Sequence, residues 1–141
     1  LEAPYLNLLS TLLTISAFTY LIIYLINLPI TPTLAQTSFF SVVALTTFTK
    51  VYSPQYVLWL TPLAVIALFH NKQHIKFWIW QGGEIIYHIA IWQYLALYTG
   101  AGHGLPAKGY AIACLLRVVV ILIFTKELMR DLAGKSTAKR P

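Results

Sequence analysis

Charge is the scarcest feature of this sequence. Of 141 residues only 10% are charged, and the four Asp and Glu are outnumbered by ten Lys and Arg. Soluble domains carry about 25% charged residues. Hydrophobic residues make up 58% of this chain, and its mean hydropathy is +0.70. A soluble chain of this size would have to bury nearly all of itself, which surface-to-volume scaling forbids. The composition therefore excludes an ordinary soluble domain and makes lipid the main solvent.

Other absences exclude chemistry. Cys114 is the only cysteine, so no disulfide forms within the chain and no Cys-based metal site exists. The histidines do not fall at metal-ligand spacing, and no metal or cofactor is expected. No Ser-His-Asp order is present, and "GAGHG" does not follow the dinucleotide-binding pattern. No residue is nominated as catalytic. The N-terminal stretch has no basic region and no small-residue cleavage site, so it is not a signal peptide by pattern.

The charge that is present is unevenly spread. Lys126, Arg130, Lys135, Lys139 and Arg140 crowd the last stretch of the chain. A basic flank after an apolar run marks the cytoplasmic side of a membrane protein. Nucleic-acid binding would need a basic face on a folded domain, and the sequence provides none, so no nucleic-acid partner is expected.

Hydropathy predicts an all-α, polytopic bundle of about five membrane helices over roughly 6–28, 33–49, 54–69, 77–98 and 105–125, followed by a basic cytoplasmic tail over 126–141. Pro29 and Pro32 close the first helix. The second and third are short for a bilayer core, and they either span it twice or form a re-entrant hairpin. Pro54 is placed to open the third, and Pro62 to kink it. The Lys and Arg distribution puts the tail and residues 70–76 in the cytoplasm and residues 99–109 outside. If the short helices span, "FTKVYSPQY" at 48–56 lies at the outer surface; if they are re-entrant, it is buried and reached from the cytoplasm.

Two groups of residues could carry function. In the first, Lys50 is followed by Tyr52, Ser53, Gln55 and Tyr56, a cation among hydrogen-bonding groups at a helix start. That combination suits an anionic head group, because helix N-termini and cations both favour phosphate. The plainer reading of Lys50 is a charge snorkelling at a helix end. In the second, Glu84, His88 and Arg117 interrupt apolar runs. Ionisable residues within a membrane are costly, and a functional role is the default hypothesis. Glu84 and Arg117 lie at similar depth, so they could pair across antiparallel helices, and His88 shares a face with Glu84. The alternatives are a buried pair that fixes helix register, and an ion or proton path. Trp59, Trp78, Trp80 and Trp92 read as interface belts or helix packing.

"FTKVYSPQYVLWLTPLAVIAL" at 48–68 resembles the late-chain signature of glycosyltransferase family 87, polytopic membrane proteins of the GT-C class found widely in actinobacteria. The residues that carry the likeness are Lys50, Ser53, Pro54, Gln55, Tyr56, Trp59 and Pro62. "GEIIYHIAIWQYLAL" and "HGLPAKGYAIACLLRVVVILIF" are similar to C-terminal segments of such proteins. The resemblance implies a hexosyltransferase, commonly a mannosyltransferase. Its donor would be a polyprenyl-phosphate sugar and its acceptor a glycolipid or glycan at the outer face of the plasma membrane. It also implies that the chain, which begins LEAPYL, is the C-terminal part of a longer protein. The remaining N-terminal part would then be a partner, along with membrane lipids. The GT-C catalytic Asp lies in an early outer loop. The acids here are Glu2, Glu84, Glu127 and Asp131, so the resemblance implies that the general base lies outside this chain. Against the transferase stands a transporter or a non-catalytic structural subunit that uses Glu84, His88 and Arg117.

Overall fold

The computed structural model describes residues 4–49, 52–68 and 74–137. Among them are five helices and no strand: α1 Pro4–Ile26, α2 Leu34–Phe48, α3 Tyr56–Ala67, α4 His74–Tyr98 and α5 Ala107–Thr137. Two of these, α1 and α5, are long and apolar enough to cross a membrane. The chain divides into two compact units, Leu1–Phe69 with Leu128–Pro141, and His70–Glu127.

In the first unit α2 packs against both α1 and α3. Pro4 occupies the first turn of α1, where its missing N–H costs nothing. The helix stops at Ile26, before Pro29. Leu21 is its only buried residue, and Leu6, Leu9, Leu13 and Ile23 are exposed, so α1 is apolar nearly all round. A helix of that kind belongs in lipid or in a larger core. The hydroxyl of Ser10 donates to the carbonyl of Phe48 at 2.7 Å, so α2 runs back antiparallel along α1. At the other end of α1, the Tyr24 hydroxyl donates to the carbonyl of Met129 in the last part of α5.

The start of α2 is a capping box. The Thr33 side chain accepts from the Gln36 amide at 3.4 Å, and the Gln36 side chain accepts from the Thr33 amide at 2.8 Å. Two amides that the helix itself leaves unpaired are thus satisfied reciprocally. This accounts for a fully buried Gln36 in an apolar helix. Thr49, in extended conformation, ends α2. With 15 and 12 residues, α2 and α3 are about 22 and 18 Å long, shorter than expected and well below a hydrocarbon core of about 30 Å.

In the second unit α4 and α5 form an antiparallel hairpin. Matching contacts run in opposite directions along the two helices. Lys76 pairs with Glu127, Trp80 stacks on Phe124 with ring centroids 5.3 Å apart, and Tyr94 stacks on Tyr110 at 4.8 Å. Near the connection, the amide of Leu105 donates to the carbonyl of Gln93 at 3.1 Å. Gly104 lies against that same carbonyl and has no room for a Cβ. Gly100 and Gly102 adopt positive φ of 83° and 78°, which lets this turn reverse the chain.

Both helices exceed their expected limits toward the basic end. His74 and Lys76, expected in a loop, belong to α4, and the tail from 126, expected to be helical at first, continues α5 as far as Thr137. Buried Leu128 and Leu132, one turn apart, hold that extension as a helix, and the Lys76–Glu127 ion pair joins α4 to its first turn.

The seam depends on Gly83. A Cβ built there would sit 2.5 Å from Cγ2 of Val120, a buried and β-branched neighbour with little rotamer freedom. Gly83→Ala should therefore lower stability in detergent by about 1 kcal/mol, although Ala is the better helix former. Gly83→Ala combined with Val120→Ala should recover most of the loss. Thermal unfolding of the two variants side by side checks this, and a stabilised single variant would refute the close approach.

Candidate functional site

The break between α2 and α3 is the first candidate site. Lys50 lies outside the described residues. Its four expected companions are described, and they sit in one tight turn. The amide of Tyr56 donates to the carbonyl of Ser53 at 3.0 Å, closing a turn with Pro54 at its second position, which suits the fixed φ of proline. The helix therefore begins at Tyr56, after the Pro54–Gln55 turn. The amide of Leu58 donates to the carbonyl of Gln55 at 3.0 Å. The amides of Tyr56 and Leu58, at the helix start that was expected to favour an anion, are thus already engaged. What this turn offers an anion is chiefly side chains.

Those side chains are ordered by their own packing. The Tyr52 ring meets Tyr56 edge-on at 5.3 Å, and Tyr56 tilts against Trp59 at 5.2 Å. Three rings thus run from the polar turn onto α3. Tyr52, Ser53 and Tyr56 are half-buried, and Gln55 is exposed. The depth of this break follows from the contact of Ser10 with Phe48. Ser10 lies six residues into α1 from Pro4, so the break is recessed by about 9 Å from that end of the helix.

The second candidate site is the interior of the α4–α5 hairpin. Glu84 is 2% exposed and Arg117 4%, both in the same unit. The Trp80 indole N–H donates to the Glu84 carboxylate at 3.0 Å, across one helical turn. The Arg117 guanidinium lies over the Tyr87 ring, 5.4 Å from its centroid. A cation on an aromatic face gains about 0.5–2 kcal/mol, most when water is excluded. The hydroxyls of Tyr87 and Tyr110 are 3.5 Å apart. His88 Nδ1 lies 2.8 Å from the backbone carbonyl of Glu84, so as a donor it turns back on its own helix.

The sequence thus placed Glu84, His88 and Arg117 in one neighbourhood, and the hairpin gathers them. It did not foresee Trp80, Tyr87 and Tyr110. A signal for them existed: Trp80 and Tyr87 flank Glu84 at one-turn spacing on one face. Tyr110 had no such signal, because only the helix register brings it to Tyr87. Of the tryptophans, Trp80 is fully buried, whereas Trp59, Trp78 and Trp92 are exposed. Among the described residues no group of His, Cys, Asp and Glu could hold a metal ion.

No protein-family model, curated protein or solved structure matches this chain.

Two opposite charges in one water-poor hairpin constrain each other. Removing one leaves the other uncompensated, at a cost of about 3–5 kcal/mol for buried pairs. Glu84→Gln and Arg117→Leu are each expected to lower the thermal midpoint more than the double variant does. Simple addition of the two single effects would show that the charges are independent.

Proposed function

We propose that this chain is the C-terminal membrane portion of a glycosyltransferase of the family 87, GT-C type. In this reading it belongs to a multi-pass protein of the plasma membrane with its C-terminal tail in the cytoplasm. The whole protein transfers a hexose, mannose by resemblance, from a polyprenyl-phosphate donor to a glycolipid or glycan at the outer face. The observation that carries the reading is the recessed polar turn of Tyr52, Ser53, Gln55 and Tyr56, set between two short apolar helices. Irregular backbone at membrane depth is tolerated where it is buried in protein or lines a watered cavity. A lipid-linked phosphate is a ligand that such a recess would suit.

In the proposed reaction the acceptor hydroxyl attacks the anomeric carbon of the donor. The bond from that carbon to the phosphate oxygen breaks, and polyprenyl phosphate leaves. The hydroxyl proton passes to an acid in the remaining N-terminal part of the protein. In this scheme Lys50 serves as the cation that stabilises the charge growing on the phosphate, as positioned cations do in such transition states. The hydroxyls of Tyr52, Ser53 and Tyr56 and the amide of Gln55 complete the cradle as donors.

The buried Glu84 and Arg117 favour a second reading. With Trp80 donating to Glu84 and Tyr87 beneath Arg117, they suit a structural element or the charged core of a transporter. The transferase makes Lys50 critical and tolerates a repacked Glu84/Arg117 pair; the transporter requires the reverse.

Lys50→Ala in the full-length protein should abolish sugar transfer while membrane insertion stays normal; wild-type turnover would remove Lys50 from the mechanism. Sidedness gives a second test. Tyr52→Cys in a Cys114→Ala background should react with a membrane-impermeant thiol reagent added to intact cells. Reaction only after the cytoplasmic side is opened would point to a re-entrant hairpin and against a donor site at the outer face.

A further inference from the structure

The turn end of the α4–α5 hairpin holds four tyrosines in one unbroken run. Tyr87 and Tyr110 have ring centroids 6.1 Å apart and hydroxyls 3.5 Å apart. Tyr110 stacks on Tyr94 at 4.8 Å with an interplanar angle of 9°, and Tyr94 meets Tyr98 at 6.2 Å. From Tyr87 to Tyr98 the run covers about 16 Å along α4. It also passes from inside to outside. Tyr87 is 2% exposed, Tyr110 and Tyr94 are half-buried, and Tyr98 is 78% exposed. Packing alone would be served by phenylalanine, which the other end of the hairpin uses where Phe77 and Phe124 flank Trp80. Here every ring carries a hydroxyl, and a buried hydroxyl costs free energy unless it is hydrogen-bonded. What the hydroxyl adds is a phenol that yields a hydrogen atom to a one-electron oxidant.

We infer that Tyr87, Tyr110, Tyr94 and Tyr98 form a relay that drains oxidising equivalents from the hairpin interior to its exposed end. The oxidant is a lipid peroxyl radical, and the lipid around a membrane-crossing α5 is its source. At Tyr110 or Tyr94 the peroxyl takes the phenolic hydrogen. An O–H bond forms in the lipid hydroperoxide, the tyrosine O–H bond breaks, and a phenoxyl radical remains. A neighbouring tyrosine then reduces that radical. Between Tyr87 and Tyr110 the electron and proton pass together across the facing hydroxyls. Toward Tyr98 the electron moves through rings in contact. Tyr98 releases its proton to water, and the tyrosine it reduces takes up a proton from the same aqueous surface. The radical left on Tyr98 is quenched by a water-soluble hydrogen donor such as ascorbate. Two features give the relay direction. The Arg117 guanidinium lies over the Tyr87 ring, and a positive charge there opposes loss of an electron. Tyr98 is the one exposed member of the four, so it alone hands its proton to bulk water. All four tyrosines lie in one compact unit, and the relay is independent of the transferase reading.

The test starts a radical at a known point. Benzophenone maleimide is attached to Cys114, the only thiol of the chain and one helical turn from Tyr110. The full chain is placed in phosphatidylcholine nanodiscs. On illumination the triplet ketone takes the phenolic hydrogen of Tyr110 and becomes a ketyl radical. The tyrosyl radical is followed by its transient absorption while ascorbate, which stays in the water, is titrated in. With the wild-type tyrosines, ascorbate should speed the tyrosyl decay in proportion to its concentration. Tyr94→Phe and Tyr98→Phe should each slow that quenching by about tenfold, equal to a barrier raised by ~1.4 kcal/mol. Both variants keep a ring in place, so helix content and thermal midpoint should match the wild type. Tyr94→Phe is the sharper test, because it leaves Tyr98 exposed and intact. Trp92→Phe, an exposed ring outside the run, should change nothing. Quenching at the wild-type rate in either tyrosine variant would overturn the relay, and a lowered midpoint beside it would leave these residues as packing alone. Wild-type decay indifferent to ascorbate would overturn it as well. Absence of any tyrosyl signal in the wild type would refute its first step, since Tyr110 would then withhold its hydrogen from an oxidant one turn away.

Discussion

A carboxylate and a guanidinium buried within one helical hairpin set the terms for this molecule. Taking a charged group out of water costs several kcal/mol, even after the protein relaxes around it. The hairpin offsets that cost locally. Trp80 donates to Glu84 and the Tyr87 ring lies beneath Arg117. Both partners are aromatic, so each contributes polar stabilisation and apolar packing together. Such a cluster works only if the two helices keep their register, and the register depends on the notch at Gly83 that receives Val120. Packing and electrostatics here are one constraint, because a shift along the seam would separate every one of these contacts.

The rest of the described chain follows a related rule. Where water is scarce, backbone polar groups need partners within the protein. Helices satisfy most of them, which explains why an apolar chain with β-branched runs still contains no strand among its described residues. The exceptions fall at helix ends, and they are handled individually. Thr33 and Gln36 cap each other, Ser53 accepts from Tyr56, and Gln93 accepts from Leu105. Ser10 and Tyr24 send their hydroxyls to backbone carbonyls of other helices. The polar side chains of the first unit are largely used in this local satisfaction.

Much of the fold was legible in the sequence because lipid-like composition and proline punctuation are strong signals. The breaks at Pro29 and Pro54 and the glycine-rich turn near residue 100 were all readable. The ends of α4 and α5 were not. Lys76 looks like a loop residue by charge alone, and hydropathy does not say how far the helix runs beyond Lys126. Their helical state depends on tertiary facts, an ion pair across the hairpin and two leucines buried one turn apart. The capping box was readable in principle from Thr33 and Gln36 at their spacing. For the candidate sites, the sequence identified the costly residues Glu84 and Arg117 but not the aromatic groups that make them tolerable. Tyr110 meets Tyr87 only through long-range register, which no local pattern encodes. Of the anion reading, Lys50 lies outside the described residues, and the amides of Tyr56 and Leu58 at the helix start are bonded within the turn itself.

The hairpin of α4 and α5 is fastened at both ends, by Lys76 with Glu127 and by Leu105 with Gln93. Between these clasps its charged groups already have partners from within it. The consequence concerns biogenesis. A ribosome-bound chain that has just emitted α5 holds a segment in which Glu84 takes the Trp80 indole and Arg117 the Tyr87 ring, both from the hairpin itself. That segment can leave the translocation channel for lipid as a pair, whereas α4 alone would carry an exposed Glu84 and α5 alone an exposed Arg117. If α5 crosses a membrane, the pairing lets the two helices partition together where each alone would hesitate at the channel.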